Sequence, residues 1–227
     1  MSTTCGWQPS SDKAQTVGRT MCRSRVLAPE PYFLWLEKEK VLSVNPALSI
    51  RYIRVTSPLP DILFDVECQK LLAAARVDPR SYLLVLLLLE TGMKKEELFD
   101  LKITHFDFSN KYAPELWLKH TGKKVKKDRK LKLPHEIVPV FNDYVKRYGI
   151  TEAIFPYTPR FIEMILTDTA KKAELQKKVT AGILRDTFIV RCLKRGEEIE
   201  NVLIKIGLSA TGEDAKEKYL KLAGRAI

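Results

Sequence analysis

The sequence predicts a mainly helical α+β fold in which a small antiparallel β-hairpin interrupts a run of helices. Three observations point there. The apolar run YLLVLLLL, Tyr82 to Leu89, leads into Thr91 and Gly92, so it reads as a helix apolar almost all round with a glycine stop. ELWLKH and RKLKLP alternate apolar and polar residues on either side of TGKKVKKD, whose Gly122 suits a turn, and this is a hairpin pattern. Ile199, Val202, Leu203 and Ile206 recur at i, i+3, i+4, i+7, the spacing of one helix face.

Along the chain, residues 1–28 are rich in Ser, Thr, Gln and Gly without periodicity, which predicts disorder. PYFLWLEKEKVL predicts a short amphipathic helix. NPALSIRYIRVTSPLP, punctuated by Pro46, Pro58 and Pro60, predicts an extended linker over the rest of 29–58. The compact part, 59–227, begins near Leu59. DVECQKLLAAARV is a helix, PRSYLLVLLLLETG a second and central one, and KKEELFDLKI starts a third. After the hairpin, HEIVPVFNDYVKRYG returns to helix, with Ile137, Phe141, Tyr144 and Tyr148 on one stripe. TPRFIEMILTDTAKKAEL, TAGILRDTFIVRCLKRG, EEIENVLIKIG and GEDAKEKYLKLAG supply four more helices.

The composition narrows the function. Of 227 residues, 45% are hydrophobic, enough for one domain with an appendage, and the net charge is +11. A chain this basic commonly meets a polyanion, nucleic acid or an anionic membrane surface, though a lysine-rich surface also serves solubility alone. The longest apolar run is far short of the ~20 residues that span a bilayer. The N-terminus has no apolar core of the secretory kind. Cys5, Cys22, Cys68 and Cys192 share no metal-ligand spacing with one another or with histidine, and the last two fall in helical apolar patterns. Together these predict buried thiols, no metal, no cofactor and a reducing, cytoplasmic setting.

Six phrases taken in order resemble the catalytic domain of the tyrosine recombinases, the phage-integrase and Xer-type family. LPDILFDVECQKLLAAA resembles its linker and first helix, and LLLLETGMKKEELFDLKI its TG-M-R-x-x-E-L segment. TGKKVKKDRKLKLP resembles its lysine-bearing hairpin, and VTAGILRDTF its H-x-x-R helix. IKIGLS resembles its L-G-H-S, and DAKEKYLKL its nucleophile helix. The resemblance implies a mostly helical domain that cleaves and rejoins double-stranded DNA without metal, through a 3′-phosphotyrosine, as a homo-oligomer on DNA. It also implies that residues 29–58 hold only a remnant of the helical domain with which family members clamp the duplex.

Carried over residue by residue, the resemblance places the nucleophile on Tyr219, on a helix made basic by Lys216, Lys218 and Lys221. The alternative is a core tyrosine packed with Leu220 and Leu222. A slightly long spacing from IKIGLS to Tyr219 implies a small insertion near Gly212. A phosphate-binding arginine falls on Arg185, with a helix-edge Arg paired to Asp186 as the alternative. The general-acid lysine falls on Lys124, or on Lys123 if the turn is longer. Eight Lys or Arg lie between Lys119 and Lys132, and of these Lys119, Lys123, Lys126, Lys127 and Arg129 are candidate DNA contacts. These types suit the chemistry, because guanidinium matches phosphate oxygens bidentately and a proton donor must reach the leaving oxygen.

Three positions depart from the family. The first arginine is Lys94, which keeps the charge but loses the fork of donors. The histidine of H-x-x-R is Gly182, and that of L-G-H is Leu208; neither offers a donor. The histidines present, His105, His120 and His135, lie elsewhere. Loss of one transition-state donor costs about 10²–10³ in rate, so the departures predict impaired cleavage. Three readings follow: a reduced recombinase using Lys94, Lys124, Arg185 and Tyr219; a non-catalytic DNA-binding module or mobile-element remnant on the same fold; and a basic protein-interaction domain.

Overall fold

A computed structural model describes residues 30–45, 59–110, 112–118, 128–208 and 212–225. Outside these residues lie the stretch predicted disordered over 1–28, most of the proline-punctuated linker, Cys5, Cys22, and the predicted turn region with Lys119, Lys123, Lys124, Lys126 and Lys127. The chain divides into two units, Met1–Pro58 and Leu59–Ile227. In the first, α1 (Glu30–Lys38) leaves Tyr32 and Trp35 exposed, stacked with ring centroids 6.4 Å apart.

In the second unit, α2 (Asp65–Ala75) starts at Phe64, whose N–H donates to the Glu67 carboxylate at 2.8 Å. α3 (Pro79–Thr91) has the start its sequence calls for. The Asp78 side chain accepts from the N–H groups of Arg80 and Ser81, and Pro79 occupies the first turn. Every residue from Leu83 to Leu89 is buried, so α3 is the axis of the main core. It stops at Gly92, in the left-handed conformation with φ 55°. A Cβ there would lie 2.3 Å from Phe188 Cδ1, so this glycine is required for room as well as for φ.

The third helix is shorter than its phrase suggests. α4 (Lys95–Phe99) ends after five residues, and a 3-10 turn follows at Ile103–His105. After a turn at Asp100, the chain pairs with a distant segment, Lys102 bridging Ala153. Ile154 N–H donates to the Leu101 carbonyl at 2.8 Å, and Ile103 N–H to the Glu152 carbonyl at 3.0 Å. Tertiary pairing here overrides helix propensity.

The hairpin is part of a three-stranded antiparallel sheet, β1 (Phe106–Asp107), β2 (Glu115–Leu118) and β3 (Arg129–Lys132), in that order. Leu116 faces Leu131 across β2–β3, and Leu116, Leu118, Leu131 and Leu133 enter the core. Trp117 and Lys130 stay on the outer face, the ammonium 3.9 Å from the ring centroid. β1 adds a strand that the alternation did not predict, since two residues are too few to show a period.

α5 (Ile137–Tyr148) buries Ile137, Phe141 and Tyr144 along the predicted stripe and stops at left-handed Gly149. α6 (Pro159–Lys172) and α7 (Ala181–Lys194) begin at Thr158 and Thr180, whose hydroxyls accept the N–H groups of Phe161 and Ile183. α8 (Ile199–Lys205) and α9 (Glu213–Arg225) close the chain. α7, α8 and α9 share a second apolar cluster that includes Phe188, Ile189, Val202, Leu203, Ile206, Tyr219 and Leu222. Cys68 and Cys192 are free and buried, and burial pushes each thiol up to about 11. Among the described residues no helix is long and apolar enough to cross a membrane.

Candidate active site

Where α7 passes the ends of α3 and α8, Arg185 lies close enough to Tyr219 and Glu97 to feel their charge, whereas Lys123 and Lys124 lie outside the described residues. Arg185, on α7, donates from Nη1 to the Gly92 carbonyl at 2.5 Å and from Nη2 to the Ile206 carbonyl at 2.8 Å. Both carbonyls belong to helix C-termini, which carry partial negative charge. The guanidinium thus ties α3 and α8 to α7. Burial lowers its pKa from the usual arginine value, while Tyr219 and Glu97 pull the other way.

Lys94 stands at the N-terminus of α4, and its backbone N–H donates to Glu97 Oε2 at 2.7 Å. Glu97 also accepts two bonds from Arg129, Nη1 to Oε1 and Nη2 to Oε2, each 2.7 Å. Arg129 Nε donates to the Lys205 carbonyl at 2.7 Å. Burial would raise the Glu97 pKa, but the Arg129 fork and the Lys94 N–H outweigh it, and the net shift is downward. Arg129, a candidate DNA contact, therefore turns inward, with its side chain only 12% exposed. Gly207 makes room for it, since a Cβ at this residue (φ +70°) would lie 2.7 Å from Arg129 Nη1.

Tyr219, on α9, is buried with Leu222, while Leu220 points to solvent. Its hydroxyl donates to Asp186 Oδ1 at 2.9 Å. Lys218 Nζ lies 3.2 and 3.3 Å from the two Asp186 oxygens. Burial, the Asp186 charge and this hydrogen bond all push the phenol pKa up, and Arg185 opposes them. Asp186 is thus the partner of Tyr219 and Lys218, and Arg185 turns to backbone carbonyls instead. Adjacent helical residues face different directions, which separates Arg185 from Asp186. The other α9 lysines are paired as well, Lys216 with Glu200 and Glu213, and Lys221 with Glu217.

Residues 63–206 match the phage integrase family. The chain belongs to that family. A tyrosine recombinase of Pseudothermotoga lettingae is 24% identical over 205 residues, which covers 88% of this chain and 70% of the relative. The crystal structure of XerA recombinase superposes with a TM-score of 0.62 at 25% identity, covering 93% of this chain and 75% of that one. XerH bound to its difH substrate shares the fold, with a TM-score of 0.69 at 17% identity, and the chain spans 66% of its length.

Within this integrase-family domain the departures have distinct settings. Gly182 lies exposed on the first turn of α7, and a Cβ there would meet only Thr180 Oγ1, at 3.7 Å. Leu208 packs against the second apolar cluster. His105 accepts the Lys102 N–H at the 3-10 turn, 3.3 Å away. Two residues absent from the sequence-based candidates organise the site. Glu97 was visible only as an acid three residues after Lys94, the spacing of a helix start. Asp186 was visible only as a neighbour of Arg185.

Proposed function

We propose that this chain binds duplex DNA and retains, in impaired form, the family's strand cleavage and rejoining. The observation that carries this reading is the convergence of Arg185, the Lys94 segment and Tyr219 from α7, α4 and α9 on one region of an integrase-family domain. In the proposed reaction the Tyr219 hydroxyl gives up its proton to water as its oxygen attacks a phosphodiester, and the 3′-phosphotyrosine forms. The bond from phosphorus to the 5′ oxygen breaks, and that oxygen takes a proton from Lys124, or from Lys123. Arg185 and Lys94 supply positive charge to the pentacoordinate phosphate. Lys119, Lys123, Lys126 and Lys127 contact the DNA backbone. Arg129 instead holds the start of β3 to Glu97. No cofactor enters the scheme; the chain acts in the cytoplasm as a homo-oligomer on DNA.

Impairment follows from the donors. Gly182 and Leu208 present none, and Lys94 lacks the fork, so the rate should fall by well over the roughly 10²- to 10³-fold that one lost donor costs. Such losses are not additive when residues act as a unit. A second reading, a DNA-holding module without cleavage, draws on the burial of Tyr219. A basic protein-interaction domain is the third, and it leaves the Arg185 arrangement without a use.

Covalent trapping and relaxation of supercoiled plasmid, run beside Tyr219→Phe, tests the proposal without knowledge of a target site. A protein–DNA adduct or relaxed plasmid that disappears in the variant supports it. Plasmid shifted on a gel with no adduct supports the DNA-holding module, and no shift at all supports the third reading.

A further inference from the structure

Two adjacent residues of α9 reach one carboxylate of α7. Besides its contacts with Asp186, the Lys218 ammonium lies 4.5 Å from the Tyr219 ring centroid, so its side chain folds over the ring to arrive there. The resulting clasp has an inner and an outer half. Tyr219 is 5% exposed. The side chains of Asp186 and Lys218 are 12% and 36% exposed. The hydroxyl that would attack a phosphate is sealed inside with its acceptor, and the lysine forms the lid.

We infer that Asp186 is a positioning residue for Tyr219, clasping α9 to α7 in the DNA-free chain and hiding the hydroxyl until a phosphate group competes for Lys218. The inference rests on the reading of Tyr219 as the nucleophile. The competition follows from charge. A DNA phosphate is an anion arriving at a surface where Lys218 is the outer cation, and a charge-assisted bond to it replaces the one to Asp186. Arg185 does not replace Lys218 as a hydrogen-bond donor to Asp186, because its Nη1 and Nη2 donate to the Gly92 and Ile206 carbonyls. With Lys218 drawn away, Asp186 retains, among the described residues, the Tyr219 hydroxyl as its hydrogen-bond partner, and a carboxylate facing an incoming phosphodiester repels it. The closed clasp and a phosphate at Tyr219 are therefore mutually exclusive, and α9 must move for the hydroxyl to emerge.

The test uses the full chain and Asp186→Asn, which keeps the side-chain shape and removes the charge. Three quantities are read: amide hydrogen exchange of α9, titration of Tyr219 by NMR on carbon-labelled tyrosine, and adduct formation on supercoiled plasmid. Removing a charge-assisted bond should speed α9 exchange about tenfold or more. Tyr219 should ionise at lower pH than in the wild type, and adduct should form several-fold faster. A short DNA duplex added to the wild type should speed α9 exchange as the variant does. Lys218→Met, at the outer half of the clasp, should also speed α9 exchange, to a smaller extent, but should move Tyr219 ionisation to higher pH, because the cation beside the phenol is gone while Asp186 stays; it carries the exchange test if Asp186→Asn does not fold. Unchanged α9 exchange together with unchanged Tyr219 titration overturns the clasp. So does an adduct rate that falls, which would mean that Asp186 is needed for the chemistry itself. Faster exchange and easier ionisation with no adduct from any variant supports the clasp and refutes the cleavage reading.

Discussion

Replacing Glu97 by glutamine tests the frame on which the site is built. The carboxylate accepts two 2.7 Å bonds from Arg129 and one 2.7 Å bond from the Lys94 N–H. The Arg129 and Glu97 side chains are only 12% and 14% exposed. Two unit charges about 4 Å apart attract by about 4 kcal/mol at an effective dielectric near 20. Glutamine keeps one acceptor but turns an NH₂ group toward the guanidinium, leaving the Arg129 charge buried without a counterion. Breaking such a pair from one side costs about 3–5 kcal/mol. Taking the lower end, a domain of this size should lose roughly 6–12 °C in Tm. Thermal unfolding followed by circular dichroism at neutral pH measures it. Glu97→Gln with Arg129→Met should recover part of the loss, because the stranded charge is gone. The pH dependence has a definite sign. Glu97 has a folded pKa below its ordinary value of 4.5, so its stabilisation is fully present above that value. It is lost as pH falls through the lower, folded pKa, and the variant should lack this part of the acid sensitivity. A variant melting within about 2 °C of the wild type at neutral pH would refute the reasoning, because a buried bidentate pair broken from one side cannot cost so little.

Other consequences are as direct. Gly92→Ala should cost about 2–4 kcal/mol, from a left-handed backbone and a Cβ driven against Phe188, and chemical denaturation would show it as a lowered midpoint. Lys94→Arg alone should not restore family-level cleavage, since Gly182 and Leu208 still lack donors; plasmid trapping reads this, and full activity would mean that the site is assigned to the wrong residues. DNA affinity should fall steeply between low and physiological salt, because a chain of net charge +11 binds mainly through phosphates, and a flat response would contradict that.

How much was legible can be judged element by element. α3 follows from its apolar run, α5 and α8 from periodicity, and Gly92 from the need for a left-handed stop. The β2–β3 pairing follows from alternation across a glycine-bearing stretch. Phrase order proposed Lys94, Arg185 and Tyr219, and in the structure Arg185 lies near Tyr219 and near Glu97, which accepts the Lys94 N–H. The short end of α4 was not legible, because it depends on pairing with residues 152–154. Nor was the inward turn of Arg129, which in sequence is one basic residue in a basic run. Its partner Glu97 lies 32 residues away, and the partner of Tyr219, Asp186, lies 33 residues away.

By itself the sequence determined most of the helices and the β2–β3 pair, where several of them stop, and that the chain carries a large positive charge. These properties are local: each depends on side chains within a few turns of one another, or on a sum over composition. Tertiary structure alone decided which charges are available. It committed Arg129 to Glu97, Arg185 to two helix-end carbonyls, and Lys218 with Tyr219 to Asp186. Such choices depend on how α4, β3, α7, α8 and α9 pack, and a charged group takes whichever partner packing places within hydrogen-bonding distance as water is excluded.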